Sequence, residues 1–247
     1  MKSRNLLAAF GMLALLSCGG GGGDTALSGI NGGGIAVGPV TGFGSVFVNG
    51  IEFSTTGSTI TVEGASASES QLKIGQIVEV RGTINSSAGT GTASSITANN
   101  QYVGPVQSID LPRLSFAFLG NVVRVTGATV FDNSFTTPAL AGLAVGQWVE
   151  VHGLRNSAGD VVATRIEPRA ANGDIELNGT ISLLDTTART FRLGNSSVNY
   201  ASASTVSGTL ANGACAEAKG TTFSGTVLTA TRVEGKNCTV SSSNNDS

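Results

Sequence analysis

Apolar and polar residues alternate one by one over short stretches along most of this chain. From Gln76 to Arg81 the alternation puts Val78 and Val80 on one face and Glu79 and Arg81 on the other, and Thr92 to Thr97 alternates in the same way. A period of two is the mark of a half-buried β-strand. Ser45 to Val48 and Ile51 to Phe53 are two such runs joined by Asn49-Gly50. Asn-Gly supplies the positive φ angles that a two-residue hairpin turn requires. The long stretches are rich in Val, Ile, Thr, Phe and Ser, which suit a pleated surface. The pattern predicts an all-β chain.

The strand pattern also repeats at long range. Leu72-Lys-Ile-Gly75-Gln-Ile-Val78-Glu79-Val80-Arg81-Gly82 aligns with Leu143-Ala-Val-Gly146-Gln-Trp-Val149-Glu150-Val151-His152-Gly153. Both align with Leu210-Ala-Asn-Gly213-Ala-Cys-Ala216-Glu217-Ala218-Lys219-Gly220. The glycines are spaced by 71 residues (75 to 146) and then 67 (146 to 213). Each unit opens on a related strand, at Gly38-Pro39-Val40, Gly104-Pro105-Val106 and Gly179-Thr180-Ile181. Two units close on Ala163-Thr-Arg165-Ile-Glu167 and Ala230-Thr-Arg232-Val-Glu234, with a weaker Ala93-Ser-Ser-Ile96-Thr97 in the first. Repeats in phase at this period indicate one module used three times.

Five or so short strands per unit are too few to cover both faces of a flat sheet. Closure hides the edges that would otherwise pair with other chains. The expected fold is three tandem small β-barrels, closed or partly open, of oligonucleotide/oligosaccharide-binding (OB) type or similar. The expected division is a signal peptide at 1–17, a lipidated cysteine and Gly-rich linker at 18–36, modules at 37–103, 104–177 and 178–240, and a disordered tail at 241–247.

The N-terminus carries its own signal. Lys2 and Arg4 precede an apolar run, Leu6 to Leu16, whose 11 residues would make a helix of about 16 Å against the roughly 30 Å of hydrocarbon a span must cross. That is a signal peptide rather than a membrane span. It ends Leu15-Leu16-Ser17-Cys18-Gly19, which resembles the lipobox of bacterial lipoproteins. The resemblance implies that Cys18 carries the lipid, including a palmitate-type chain, and holds the protein on a membrane. Gly19 is not the aspartate that resembles an inner-membrane retention signal, so the expected location is the outer membrane, on the periplasmic side or exposed at the surface. The glycine clusters at Gly19 to Gly23 and Gly32 to Gly34 read as a tether of about 17 residues with an r.m.s. span of about 23 Å. They lack the preceding strand and following helix of a phosphate-binding loop.

Charge excludes one class of partner. The chain of 247 residues has 14 Lys and Arg against 16 Asp and Glu. Removal of Lys2 and Arg4 with the signal leaves 12 against 16, a net charge of −4. No nucleic acid is expected as a partner, since binding it needs cations to neutralise phosphates.

The Thr41-Gly-Phe-Gly-Ser-Val-Phe-Val-Asn-Gly-Ile-Glu-Phe53 opening, the Leu-x-x-Gly-Gln-x-Val-Glu-Val-x-Gly core and the Ala-Thr-Arg-Ile-Glu ending resemble the domain of unknown function 5666 family. The resemblance spans roughly Gly38 to Glu234. It implies bacterial, often lipid-anchored, repeated β domains, and it implies no catalytic residues. The third copy departs from the pattern, with Ala216 and Ala218 where valines are usual.

Three cysteines are present, and Cys18 takes the lipid. Cys215 and Cys238 remain, in a compartment where such a pair normally forms a disulfide. Replacing two valines by alanine loses roughly 3 kcal/mol of burial, and a disulfide returns roughly 2 to 4 kcal/mol. The expected register sets Cys215 opposite Glu234.

No catalytic or metal site is expected. His152 is the single histidine; it occupies the position of Arg81 and Lys219 and is expected on a solvated face beside Glu150. No G-x-S-x-G elbow accompanies it, and one histidine is too few for zinc. Glu79, Glu150 and Glu217 recur in phase, each with a cation two residues later, which suggests charge pairing rather than acid/base work. Cross-strand pairs are expected between Glu150 and Arg165 and between Glu217 and Arg232. Phe43, Phe47, Phe53, Phe116, Phe118, Phe191, Tyr102 and Tyr200 read mainly as core. Trp148 shares the parity of Glu150, and reads either as a seal between modules or as an exposed platform for a sugar or peptide.

Two function classes stay open, and neither is an enzyme or needs a cofactor. One is a structural or interaction lipoprotein presenting β modules to a periplasmic or envelope protein partner. The other is a module binding polysaccharide, peptidoglycan or a small molecule through Arg81, His152, Lys219 and Trp148.

Overall fold

The structure is a computed structural model that describes residues 29–31, 34–99 and 101–236. Cys18 and Cys238 lie outside the described residues, and so do the signal, most of the tether and the tail. The described chain is all-β, made of closed five-stranded barrels with extra strands and short 3-10 turns.

The first unit contains β1 (Gly29–Asn31), β2 (Ile35–Gly42), β3 (Val46–Val48), β4 (Ile51–Ser54), β5 (Thr59–Val62), β6 (Ala65–Ala67), β7 (Ile77–Asn85) and β8 (Thr90–Ala98). Pairing runs β2 to β3 to β4 to β8 to β7 and back to β2, so the sheet closes on itself. All contacts in this ring are antiparallel except β4 with β8. The second unit contains β9 (Tyr102–Asp110), β10 (Ser115–Phe118), β11 (Asn121–Arg124), β12 (Val130–Phe131), β13 (Trp148–Arg155) and β14 (Val161–Pro168). Its ring is the same: β9, β10, β11, β14, β13 and back to β9, with β11 parallel to β14.

After it come β15 (Ile175–Asp185), β16 (Thr190–Leu193), β17 (Ser196–Asn199), β18 (Thr205–Ser207), β19 (Cys215–Ser224) and β20 (Val227–Lys236). They pair around the same circuit, β15, β16, β17, β20, β19 and back to β15. In all three circuits the first strand meets the fourth, and the third runs parallel to the last. An extra strand, β5, β12 or β18, also lies parallel to the last strand.

The hairpin at Asn49-Gly50 has φ of 52° and 77°, the two positive angles a type I′ turn needs. The core follows the alternation. Val78 and Val80 are buried, and Phe53, Phe116, Phe118 and Phe191 are 0–1% exposed. Two of the expected core aromatics are exceptions: Phe43 is 43% exposed in the turn after β2, and Phe47 is only half-buried on β3, between the buried Val46 and Val48. The first barrel has its own apolar cluster. The second and third units share one, running from Phe116 and Ile166 to Leu177, Phe191 and Leu228. The sheet itself is continuous there, since Tyr102 and Val103 of β9 pair with Leu177 and Glu176 of β15.

Candidate functional site

The strand with the Val-Glu-Val pattern and the strand with the Ala-Thr-Arg pattern form one hairpin in each unit, and this hairpin carries the repeated charged residues. Two glycines of the motif set its shape. Gly75, Gly146 and Gly213, at the turn before the strand, have φ of 82°, 82° and 87°, a region that costs any side chain. In each unit the turn binds the first strand reciprocally: Gly75 N–H donates to Val40 O at 2.8 Å and Val40 N–H to Gln76 O at 2.9 Å. The same two bonds recur at Val106 and at Ile181. Gln76 and Gln147 also accept, through Oε1, the N–H of Lys73 and Ala144, which accounts for the Gly-Gln dipeptide in the first two copies.

The second glycine, Gly82, Gly153 or Gly220, faces its partner strand so closely that a Cβ would lie 2.0, 2.5 or 2.2 Å from the carbonyl oxygen of Thr92, Val162 or Thr229. Opposite it the partner strand holds one extra residue, Ser94, Thr164 or Thr231, so all three hairpins are bulged at the same place.

The observed register corrects the expected ion pairs. Glu150 stands opposite Glu167, and Arg165 opposite His152; likewise Glu217 stands opposite Glu234, and Arg232 opposite Lys219. The expected register was off by two residues, an even number, so every side chain keeps its face but changes its neighbour. Glutamate now sits opposite glutamate and basic residue opposite basic residue, and lateral partners compensate them. Within each strand the glutamate bonds the basic residue two positions on: Glu79 with Arg81, Glu150 with His152 at 2.9 Å, and Glu217 with Lys219 at 3.2 Å.

His152 is not on a solvated face. It is 1% exposed and Glu150 is 2% exposed, because a neighbouring unit covers this face. His152 Nε2 bonds Glu150 Oε1, while Nδ1 is buried with no hydrogen-bond partner among the described residues. Burial pushes the Glu150 carboxyl up, but the His152 hydrogen bond and charge, with Arg169, outweigh it and hold the group below its ordinary value. Glu217 is held low by the same balance, with Lys236 and Lys219 against burial.

The covering contacts come from the first barrel. Its turn at Lys73-Ile74-Gly75 lies on β14: Thr164 Oγ1 donates to Gly75 O at 2.6 Å, Arg165 Nη1 donates to Ile74 O at 3.1 Å, and Lys73 pairs with Glu167. Arg165 also binds Glu167 at 2.5 Å and Asp132. Arg169 joins Glu150 to Glu63 of the first barrel. Between the second and third units a buried amide does similar work. Asn121 Nδ2 donates to Leu119 O and to Ser196 Oγ, both at 2.9 Å, and its Oδ1 accepts from Arg155 at 2.9 Å.

The remaining residues of interest are dispersed. Trp148 is half-buried, packed against the apolar cluster of the second and third units. Arg81 and Lys219 keep 47% and 40% of their side-chain surface exposed, and Lys219 reaches Glu176 at 3.0 Å. Three clefts lie where the units meet. Lys219 lines two of them, of about 340 and 300 Å³, together with Glu63 and Glu176. A third, of about 570 Å³, is walled by Tyr102, Arg155, Asn178, Cys215 and Lys236. Arg81, His152 and Trp148 line none of the three. Cys215 faces Lys236 rather than Glu234, a second effect of the shifted register.

Sequence reasoning missed Lys73, Thr164, Asn121 and Arg169 as contact residues. Only the repeated Thr-Arg-x-Glu at the end of the second and third units pointed towards this face.

Comparison with curated proteins gives no match. Residues 36–97 and 103–167 each match the family described as a domain of unknown function (DUF5666), while the segment bearing Ala216 and Ala218 lies outside both matches. The two matches take in both of the first two barrels and together cover just over half of the chain, which therefore belongs to the DUF5666 family.

Proposed function

We propose that this protein is a non-catalytic lipoprotein of the outer membrane, anchored through Cys18, whose three OB-like modules act as one rigid structural or interaction scaffold. The third segment is read as a third copy of the module because its strand circuit and its two motif glycines are those of the first two. The observation that carries the reading is the fate of the repeated charged faces. On the second barrel that face is filled by the first barrel's turn through Thr164, Arg165 and Glu167. Side chains occupied in this way hold modules together and are not available to a small ligand. Exposed apolar residues lie instead around the turns and outer edges, at Phe43, Leu111, Leu114, Val145 and Leu183, where a protein partner would meet them.

Crosslinking in intact cells followed by mass spectrometry tests the reading. Links from these turns to an envelope protein or to another copy of the chain are expected. Cys18→Ser should move the protein from membranes to the soluble periplasmic fraction. Membrane fractionation that survives the substitution would count against the anchor.

A second reading, binding of polysaccharide, peptidoglycan or a small molecule, is favoured by the 570 Å³ cleft with Tyr102 and Arg155 on its wall. Saturable binding of a glycan fragment, lost on Tyr102→Ala, would support it over the scaffold.

A further inference from the structure

The contact between the first two barrels is a turn laid on a strand, and both halves of it recur elsewhere in the chain. The strand half is repeated on β20 as Thr231, Arg232 and Glu234, the counterparts of Thr164, Arg165 and Glu167. The turn half is repeated as Ala144-Val145-Gly146, the counterpart of Lys73-Ile74-Gly75. Within one chain these second halves do not meet. The second and third units are joined edge to edge through β9 and β15 instead.

Burial records the difference. The Arg165 side chain is 8% exposed, whereas the Arg232 side chain keeps 54% of its surface. Gly75 is buried, with Thr164 O only 2.4 Å from where a Cβ would stand, whereas Gly146 has no described atom within 4 Å of that point. Val145, in the place of half-buried Ile74, is 66% exposed.

We propose that Thr231, Arg232 and Glu234 form a docking site for the Ala144-Val145-Gly146 turn of a second copy of this chain, so that copies join head to tail. The chemistry is that of the internal contact. Arg232 donates to the Val145 carbonyl, and the Thr231 hydroxyl, now 3.3 Å from Lys219 O, turns to the Gly146 carbonyl. Two features make the contact weaker than the internal one. Ala144 replaces Lys73, and Ser207 replaces Asp132 beside the arginine. Glu234 keeps Arg232 at 3.3 Å and Lys236 at 3.9 Å as its cations. The surfaces are different patches of the molecule, so the contact is heterologous and adds copies in a row rather than closing a dimer. This assignment rests on the scaffold reading and names its partner.

The test uses the full chain in cells that make two differently tagged copies, with a photo-crosslinking amino acid at position 145. The expected product joins the two tags, with the link in residues 228–236. Arg232→Glu, a change at an exposed residue, should cut its yield about tenfold, the effect of reversing a contact charge. Links to other parts of the chain, or a yield unmoved by Arg232→Glu, would overturn the proposal. Links from position 145 only to a different envelope protein would overturn self-assembly and leave the scaffold reading standing. No link from 145, nor from crosslinkers at Leu114 and Leu183, would count against both.

Discussion

Lys73 of the first barrel forms an ion pair with Glu167 of the second, 94 residues away, on a strand whose arginine is held at the same time by Asp132 and by Glu167. The two arginines of the repeated strand ending therefore have different energetic weights. Arg165 is buried among partners, and removing it takes the arginine from Asp132 and leaves Glu167 with Lys73 alone, so Arg165→Ala should cost about 3 kcal/mol. Arg232 pairs with Glu234 through an exposed side chain, and Arg232→Ala should cost under about 1 kcal/mol. Urea denaturation of the two variants makes the comparison; equal costs would mean that the turn does not sit on β14 as described.

The two motif glycines differ in the same measurable way. In Gly153→Ala the new methyl would lie 2.5 Å from Val162 O and 2.8 Å from the Val161 side chain, and the backbone carbonyl cannot give way without moving its strand. A cost of about 2 kcal/mol or more is expected. At Gly146, with φ of 82° and open space around it, alanine should cost about 1 kcal/mol, the strain of the left-handed region alone. Thermal melts would contradict this if Gly146→Ala proved the worse.

How much of this could be read in the sequence depends on the range of the interaction. The Asn49-Gly50 hairpin and the Leu-x-x-Gly turn are local, and the residues that form them are adjacent, so they were legible. The repeat period was legible because the same turns recur in phase. The register was not: it depends on which residues close each hairpin turn as well as on Ser94, Thr164 and Thr231 being slipped into the last strand opposite a glycine, and alternation alone counts neither. The burial of His152 was hidden for a different reason. Alternation assigned it correctly to the face of Glu150, but what covers that face comes from another repeat, through Lys73 and Glu63. Only the packing of one copy on the next could tell a solvated position from a buried one.

The depressed carboxyls set a pH dependence. Glu150 and Glu217 have ordinary values of 4.5 and are held below them in the folded protein. The unfolded chain takes up their protons first as pH falls, so their contribution is complete above about pH 4.5 and is lost as pH drops through the folded values. Denaturation midpoints should therefore be flat from neutral pH to about pH 5 and fall below it. Glu150→Gln with Glu217→Gln should lower stability at pH 7 and flatten the acid limb; an unchanged acid limb would contradict the assignment.

The shifted register also changes the expectation for the cysteines. With Cys215 opposite Lys236, Cys238 is two residues further along rather than four, about 7 Å of extended chain. That shortens the fold-back required to bring two Cα atoms within the roughly 4.4–6.8 Å of a disulfide. Mass mapping without reductant should recover a Cys215 to Cys238 peptide pair, and reduction should cost roughly 2 to 4 kcal/mol. Free thiols at both positions would leave Ala216 and Ala218 without compensation.

The charged faces of the repeats lock the first two barrels into one body, and the distance between those barrels reports the lock directly. Spin labels carried by unnatural amino acids at Ser66 of the first barrel and Leu114 of the second, both exposed, leave the native cysteines untouched. Pulsed electron resonance between them should give one narrow distance distribution that broadens in Arg165→Ala and is unchanged in Arg232→Ala. A broad distribution in the unsubstituted protein, or one that Arg165→Ala leaves narrow, would contradict the lock.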